Sequence, residues 1–213
     1  MKIIVFGARG EVGRRVVAEA LARGHAVTAV VRGEAQVEAL PAGVTARVAD
    51  ASEGDRVFEA MREQDLAISA LRPAEGREEL LVPLTRAVLE AAARASLRVL
   101  VVGGAASLKL PERNGHSVLT APGFLPEAVL PIARACQAQY ELCAAEARAD
   151  WSYLAPPAML TPGVRTGRYR LGSDVLLTDA EGRAAISMED FAVALIDEAE
   201  RPRHRRARFT VAH

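Results

Sequence analysis

Cysteine and lysine are scarce in this chain, and long apolar runs and an excess of either charge are absent; each of these closes off a class of structure or partner. The two cysteines, Cys136 and Cys143, sit seven apart in a segment with helical patterning, which places their Cα atoms about 10 Å apart at ~1.5 Å per residue. A disulfide needs less than about 7 Å, so both are expected as reduced thiols in the core. No group of cysteines and histidines has the spacing of a metal site. No apolar run reaches the ~18 residues of a membrane-spanning helix. The N-terminus runs straight into a predicted strand without a signal peptide's cleavage pattern, and a cytoplasmic protein is expected. Lys+Arg and Asp+Glu both number 27, so neither nucleic acid nor a membrane is expected as a partner. Only Lys2 and Lys109 are lysines, so 25 of the 27 basic residues are arginine. The stretch RPRHRRARF near the C-terminus precedes a short apolar strand and reads as a solvated surface.

What is present is a regular alternation. The 213 residues fit one domain with a full core, and no linker, repeat or low-complexity segment divides them. Predicted strands lie at 2–6, 25–31, 44–50, 65–71, 97–102, 151–156 and 206–212. Predicted helices lie at 11–23, 34–39, 54–63, 77–95, 131–150 and 187–200, the last capped by Ser187. The early strands are almost uniformly apolar and rich in Val and Ile, the pattern of parallel strands covered on both faces. Strand–helix alternation with short links implies an α/β fold: a doubly wound, mostly parallel Rossmann sheet with helices on both faces. The tail is less regular and suggests a small C-terminal substrate region, with substrate-side elements at 108–130 and 157–186. TGRYRLGSDVLLTD, around Gly172, suggests a hairpin. LKLPERNGHSVLTAPGFLPEAVL (108–130) reads as a lid over a substrate. It carries His116, as an acid or as a solvated loop residue.

The most informative stretch is FGARGEVG at 6–13. Gly7, Gly10 and Gly13 recur every three residues between a predicted strand and a predicted helix. In a doubly wound sheet this first turn faces the ligand. Gly7 suits the tight turn, Gly10 lets the backbone approach a pyrophosphate, and Gly13 lets helix and strand pack. Free N–H groups at the helix start attract negative charge. A glycine triplet is weak evidence alone, but its position between strand and helix is the context that points to dinucleotide binding.

The GxxGxxG spacing, with VAD at 48–50 and GG at 103–104, resembles the short-chain dehydrogenase/reductase superfamily. LRVLVVGGAASL, WSYLAPPAMLTPGVRTGRYRL and the closing SMEDFAVALIDEAE with RFTVA narrow the resemblance. They point to the small atypical NAD(P)H-flavin reductase group, relatives of biliverdin-IXβ reductase, over almost the whole chain. The resemblance implies that Gly7, Arg9, Gly10, Glu11 and Val12 hold the pyrophosphate. Arg9 stands where the group often has Thr. Asp50, with Ala51, would meet the adenine amino group, or Asp50 would serve only to cap a turn. Ala70 and Leu71 would lie along the ribose, and Gly103 and Gly104 near the nicotinamide. Pro156 would follow the sixth strand there, or Pro156 and Pro157 would merely stop it.

The end of the second strand bears on the choice of cofactor. A carboxylate there binds the 2′-hydroxyl of NAD. This chain has Arg32, whose guanidinium suits the 2′-phosphate of NADP, while Glu34 keeps NAD(H) open as the second choice. Ordinary members of the superfamily use a tyrosine acid with a lysine four residues on. Four after Tyr140, Tyr153 and Tyr169 come Ala144, Pro157 and Ser173, so that pair is missing. A planar conjugated acceptor such as FMN or another flavin spreads the incoming charge over its rings and can be protonated by water, so it does without the pair. Ser107, just after GGAA, is the candidate catalytic contact to the acceptor, or else a turn serine. Two classes of function follow: an NADPH-dependent reductase of such a small-molecule acceptor, or a non-catalytic NADP(H) sensor. A quinone or a biosynthetic intermediate are further acceptors, and a monomer or small homo-oligomer is expected.

Overall fold

The computed structural model describes residues 1–213. Its centre is an eight-stranded sheet. β1 (Lys2–Phe6), β2 (Ala26–Val31), β3 (Val44–Val48), β4 (Leu66–Ser69), β5 (Arg98–Val102), β6 (Trp151–Ala155) and β10 (Ala207–Ala212) are mutually parallel, and β8 (Arg170–Gly172) is antiparallel on the edge. The order across the sheet is β3-β2-β1-β4-β5-β6-β10-β8. Successive residues of β1 go to opposite faces, as the period of a strand requires. Ile4 and Phe6 join a core cluster with α2 (Gly54–Met61), α3 (Leu81–Ala95) and part of α4 (Leu130–Ala145). Ile3 and Val5 join the opposite cluster with α1 (Glu11–Ala22) and α5 (Met188–Glu200). Both faces are thereby covered, and the doubly wound reading holds. β7 (Met159–Thr161) and β9 (Ala185–Ser187) form a separate two-stranded parallel ladder.

Several boundaries differ from the sequence reading, each for a local reason. The 34–39 segment gives only a 3₁₀ turn at Glu34–Gln36, and the long third helix begins with a 3₁₀ turn at Glu78–Leu80. α4 stops at Ala145 rather than near 150, because the chain turns to bring the Glu146 carbonyl under the Trp151 indole N–H at 3.1 Å. α3 ends on Ser96 in the left-handed region at φ 50°. Ser187 caps α5 as expected, its hydroxyl accepting from the Asp190 N–H at 3.0 Å.

Two expectations for the C-terminal half are corrected. There is no hairpin around Gly172: β8 pairs with β10, Gly172 opposite Thr210 and Leu171 opposite Val211. The open edge of β10 offers a full ladder of backbone groups, and the short segment covers that edge instead of folding on itself. The segment beyond it bridges from Val175 to Lys109. Nor is 108–121 a free lid. Leu108, Leu110, Val118 and Ala121 are buried in the main core. Backbone bonds from Lys109 to Asp174, from Val118 to Leu108 and from Leu119 to Ala106 stitch the segment down. His116 sits on its exposed turn beside Thr120, 3.3 Å away.

Candidate dinucleotide cleft

The strand order reverses between β1 and β4, and the FGARGEVG turn leaves β1 at that point. Gly7 has φ +76°, and a side chain there would overlap the Ala70 carbonyl at the end of β4. Gly13 meets the same turn from the helix side, where a Cβ would overlap the Gly7 carbonyl. These two glycines let α1 seat directly on the ends of β1 and β4. Gly10 differs: a Cβ there would have only the Gly7 oxygen at 3.3 Å and the Ala70 oxygen at 4.0 Å as neighbours, so its outer side is open to approach. α1 has no side-chain cap. The Glu11 carboxylate turns to Arg14 at 2.7 Å and Arg15 at 3.0 Å, and these bonds hold it below the usual carboxylate range. The first-turn amides, those of Glu11 and Val12 among them, therefore remain available to an anion.

A cleft of about 730 Å³ opens from this turn across the carboxyl ends of β1 to β4. Of the residues expected at the cofactor, it is lined by Gly7, Arg9, Gly10, Arg32, Asp50, Ala51, Ala70 and Leu71. Arg32 lines it and Glu34 does not; Gln36 does, its amide oxygen accepting the Arg32 N–H at 2.9 Å. Asp50 spends one oxygen as a turn cap, Oδ1 accepting from the Ser52 N–H at 2.8 Å and the Ser52 hydroxyl at 2.7 Å. Those bonds, with the nearby Arg32 charge, hold its carboxyl below its usual range, and Oδ2 makes no bond within the chain. The turn-cap reading of Asp50 is thus observed, and the residue also lines the cleft.

Sequence reasoning missed Arg72 and Arg77 on the cleft wall. Arg72 directly follows Leu71 beyond β4, and that position beyond a strand's carboxyl end was the available signal. Arg77 is engaged by Glu79 at 3.0 Å, whereas Arg9, Arg32 and Arg72 form no salt bridge. Glycines that admit a backbone approach, an uncapped helix start, unpaired guanidiniums and room for a nucleotide together fit an anionic dinucleotide. A second cavity, about 60 Å³ beside Tyr169, Asp197 and His204, is too small for one.

Gly103, Gly104, Ser107 and Pro156 lie off the cleft wall, beyond the ends of β5 and β6. The two glycines have a packing reason of their own. A Cβ on Gly103 would overlap the Tyr153 ring, and one on Gly104 would come within 2.6 Å of the Cys136 sulfur. Tyr153 is fully buried. Its hydroxyl accepts from the Gly104 N–H at 3.1 Å and donates to the Cys136 carbonyl at 3.1 Å, and burial pushes it well above an ordinary phenol. The two thiols are buried and unpaired with each other; burial pushes Cys136 up to about 11 and Cys143 up to about 12. Tyr169 donates to the Asp197 carboxylate at 2.5 Å. Tyr140 stacks obliquely on Tyr153, ring centroids 5.3 Å apart, with the Arg208 guanidinium over its face. Pro156 is buried directly after the last residue of β6 and ends that ladder. Ser107 Oγ accepts from Arg208 at 2.6 Å.

A doubly wound parallel sheet with a glycine turn at its reversal point and an uncapped helix start beside it is a dinucleotide-binding Rossmann protein. The NAD(P)H-binding family model matches residues 7–202, and the chain belongs to this family, within the atypical short-chain dehydrogenase/reductases. It is similar to the uncharacterized protein YwnB of Bacillus subtilis (strain 168), 35% identical over 217 residues that span 99% of this chain and 98% of that protein. A Bacteroides thetaiotaomicron protein, provisionally named an epimerase, is 37% identical in its crystal structure, with TM-score 0.90, covering 100% of this chain and 96% of its own. A Streptococcus pneumoniae protein, provisionally named an NADH-flavin reductase, is 29% identical with TM-score 0.90, covering 100% of this chain and 99% of its own.

Proposed function

We propose that the protein is an NADPH-dependent reductase that passes hydride to a planar conjugated acceptor, with a free flavin such as FMN or riboflavin as the leading substrate class. The observation that carries this reading is the fate of the three tyrosines. Tyr153 is buried and satisfied, Tyr169 is bonded to Asp197, and Tyr140 lies under Arg208. None lines the cleft, and neither does Lys2 or Lys109. Reducing a simple ketone or aldehyde needs a placed acid worth ~10²–10⁴ in rate. Epimerisation at an alcohol carbon needs a placed base for the same reason. A flavin needs neither, since its rings carry the added charge and water supplies the proton. The bound cofactor supplies the hydride; the chain's task is to hold it on the glycine turn and to admit a flat acceptor beside it.

NADP(H) is favoured over NAD(H) because Arg32 lines the cleft and the Glu34 carboxylate does not. The Streptococcus pneumoniae relative's name agrees with the flavin reading. A cytoplasmic monomer or small homo-oligomer acting on a small molecule belongs to the same proposal. The test is NADPH oxidation against FMN, riboflavin, a short-chain quinone, a simple ketone and an aldehyde. Turnover is expected with the first three and at least a hundredfold less with the last two. Tight NADPH binding without turnover on any acceptor would replace the reductase with a cofactor sensor.

A further inference from the structure

Ser107 closes a 3₁₀ turn at Ala105–Ser107, just after Gly104, and its hydroxyl is governed from the far end of the chain. Arg208, on β10, donates from Nη1 to Ser107 Oγ at 2.6 Å and to the Ser107 carbonyl at 2.9 Å. Its Nη2 donates to Asp174, and the guanidinium lies 4.4 Å from the centre of the Tyr140 ring. The Arg208 side chain is 5% exposed, and Asp174, its one carboxylate partner, is 54% exposed. A buried cation neutralised on one side by a half-solvated carboxylate leaves its field uncompensated on the other side, where Ser107 Oγ sits. Because that oxygen accepts from Arg208, its own hydrogen points away from the guanidinium, and the chain offers it no acceptor. A hydroxyl held in this way is a strengthened donor with no partner of its own.

We propose that Arg208 is a positioning residue for the reduction: it fixes and polarises the Ser107 hydroxyl as a hydrogen-bond donor to the carbonyl oxygen or ring nitrogen on which negative charge develops. This rests on the reductase reading above and deepens it, since it selects acceptors that carry such an atom beside the carbon or nitrogen that takes the hydride. In the step, the C–H bond of the reduced nicotinamide breaks, and its hydrogen leaves with the electron pair to form the new bond on the acceptor. The proton that completes the reduction comes from water. Ser107 gives a hydrogen bond and loses no atom.

The experiment is a double-mutant cycle on NADPH turnover with FMN and with the quinone, using Ser107→Ala, Arg208→Gln and the pair, with Arg208→Lys alongside and NADPH affinity measured for each. Ser107→Ala is expected to lower kcat about ten- to hundredfold, the loss of a hydrogen bond to developing charge. Arg208→Gln should give a similar loss, with NADPH affinity within about twofold, and should add less than about threefold once Ser107 is gone. Arg208→Lys keeps the charge and should recover part of the rate, which a merely structural role would not predict. If Arg208→Gln does not fold, Arg208→Lys decides in the same cycle: a loss by Arg208→Lys that persists undiminished in the Ser107→Ala background would overturn the proposal. Fully additive losses, or full activity in Ser107→Ala, would also overturn it and leave the reductase standing. A wild type silent on every acceptor would remove both.

Discussion

Two populations of arginine divide this molecule. On the face formed by α1 and α5, every guanidinium between the two helices has a carboxylate. Arg15 meets Glu189 at 2.6 Å, Arg23 meets Glu19 at 2.7 Å and Asp197 at 2.6 Å, and Arg165 reaches Glu19 from the 161–169 segment at 2.7 Å. At the carboxyl ends of β1, β2 and β4, Arg9, Arg32 and Arg72 border an open cleft and have none. The side chain is the same in both places. Paired and half-buried, it fastens helices and an exposed strap to one another; unpaired beside a glycine turn, it leaves a positive wall for an anion. Arginine content alone would have shown only a basic residue bias; the presence or absence of a partner separates architecture from ligand binding.

The largest effect should come from breaking the paired population. Glu19 is 6% exposed and serves both Arg23 and Arg165. Glu19→Ala should cost about 3 kcal/mol, the low end for removing one partner of a buried pair because Arg165 is half exposed. For a chain of this size that lowers the melting temperature by roughly 6–12 °C. NADPH affinity, measured on the still-folded variant at 25 °C, should stay within about twofold.

Arg32→Ala should do the reverse. A charge-assisted bond to the 2′-phosphate is worth roughly 1.5–3 kcal/mol before solvent at the cleft edge trims it. NADPH affinity is therefore expected to fall about tenfold to a hundredfold, with NADH affinity and the melting temperature nearly unchanged. Titration of wild type, Arg32→Ala and the Arg9→Ala/Arg32→Ala pair with both cofactors measures it. A cofactor preference that survives the double substitution would dissolve the contrast between the two populations.

The smallest effect is one of pH. Burial alone would raise the Glu198 carboxyl, but the N–H groups of Arg203 and His204 and the His204 ring outweigh it and hold it below its usual range. Arg98 reaches the same carboxylate at 2.5 Å. A carboxylate depressed in the folded state contributes stability above its unfolded pKa and loses it as pH falls through the folded value. Melting temperature should therefore hold through neutral pH and decline below about pH 4.5. In Glu198→Gln the decline should be shallower, and an identical slope would mean that this group contributes nothing to it.

The sequence by itself determined the frame. A run of Ile and Val that fits a buried strand, a glycine where φ must be +76° and two more where helix and strand meet are short-range demands. They lie within a few residues of the structure they produce, so the order of elements, the doubly wound sheet and eight residues that line the cleft could be read directly. Tertiary structure alone decided everything that needed a distant partner. The hairpin was misplaced because β8 found the edge of β10, and residues 108–121 of the expected 108–130 lid are pinned because four of their apolar side chains entered the core. Arg15 and Glu189 are 174 residues apart, and Arg208 and Ser107 are 101 apart. Tyr153 and Gly103 explain each other only once β5 and β6 lie side by side. Backbone conformation and hydrophobic period are properties of a segment. The partner of a charge, the burial of a phenol and the direction of a hydroxyl depend on which segments meet, and that was fixed only when the sheet closed around its core.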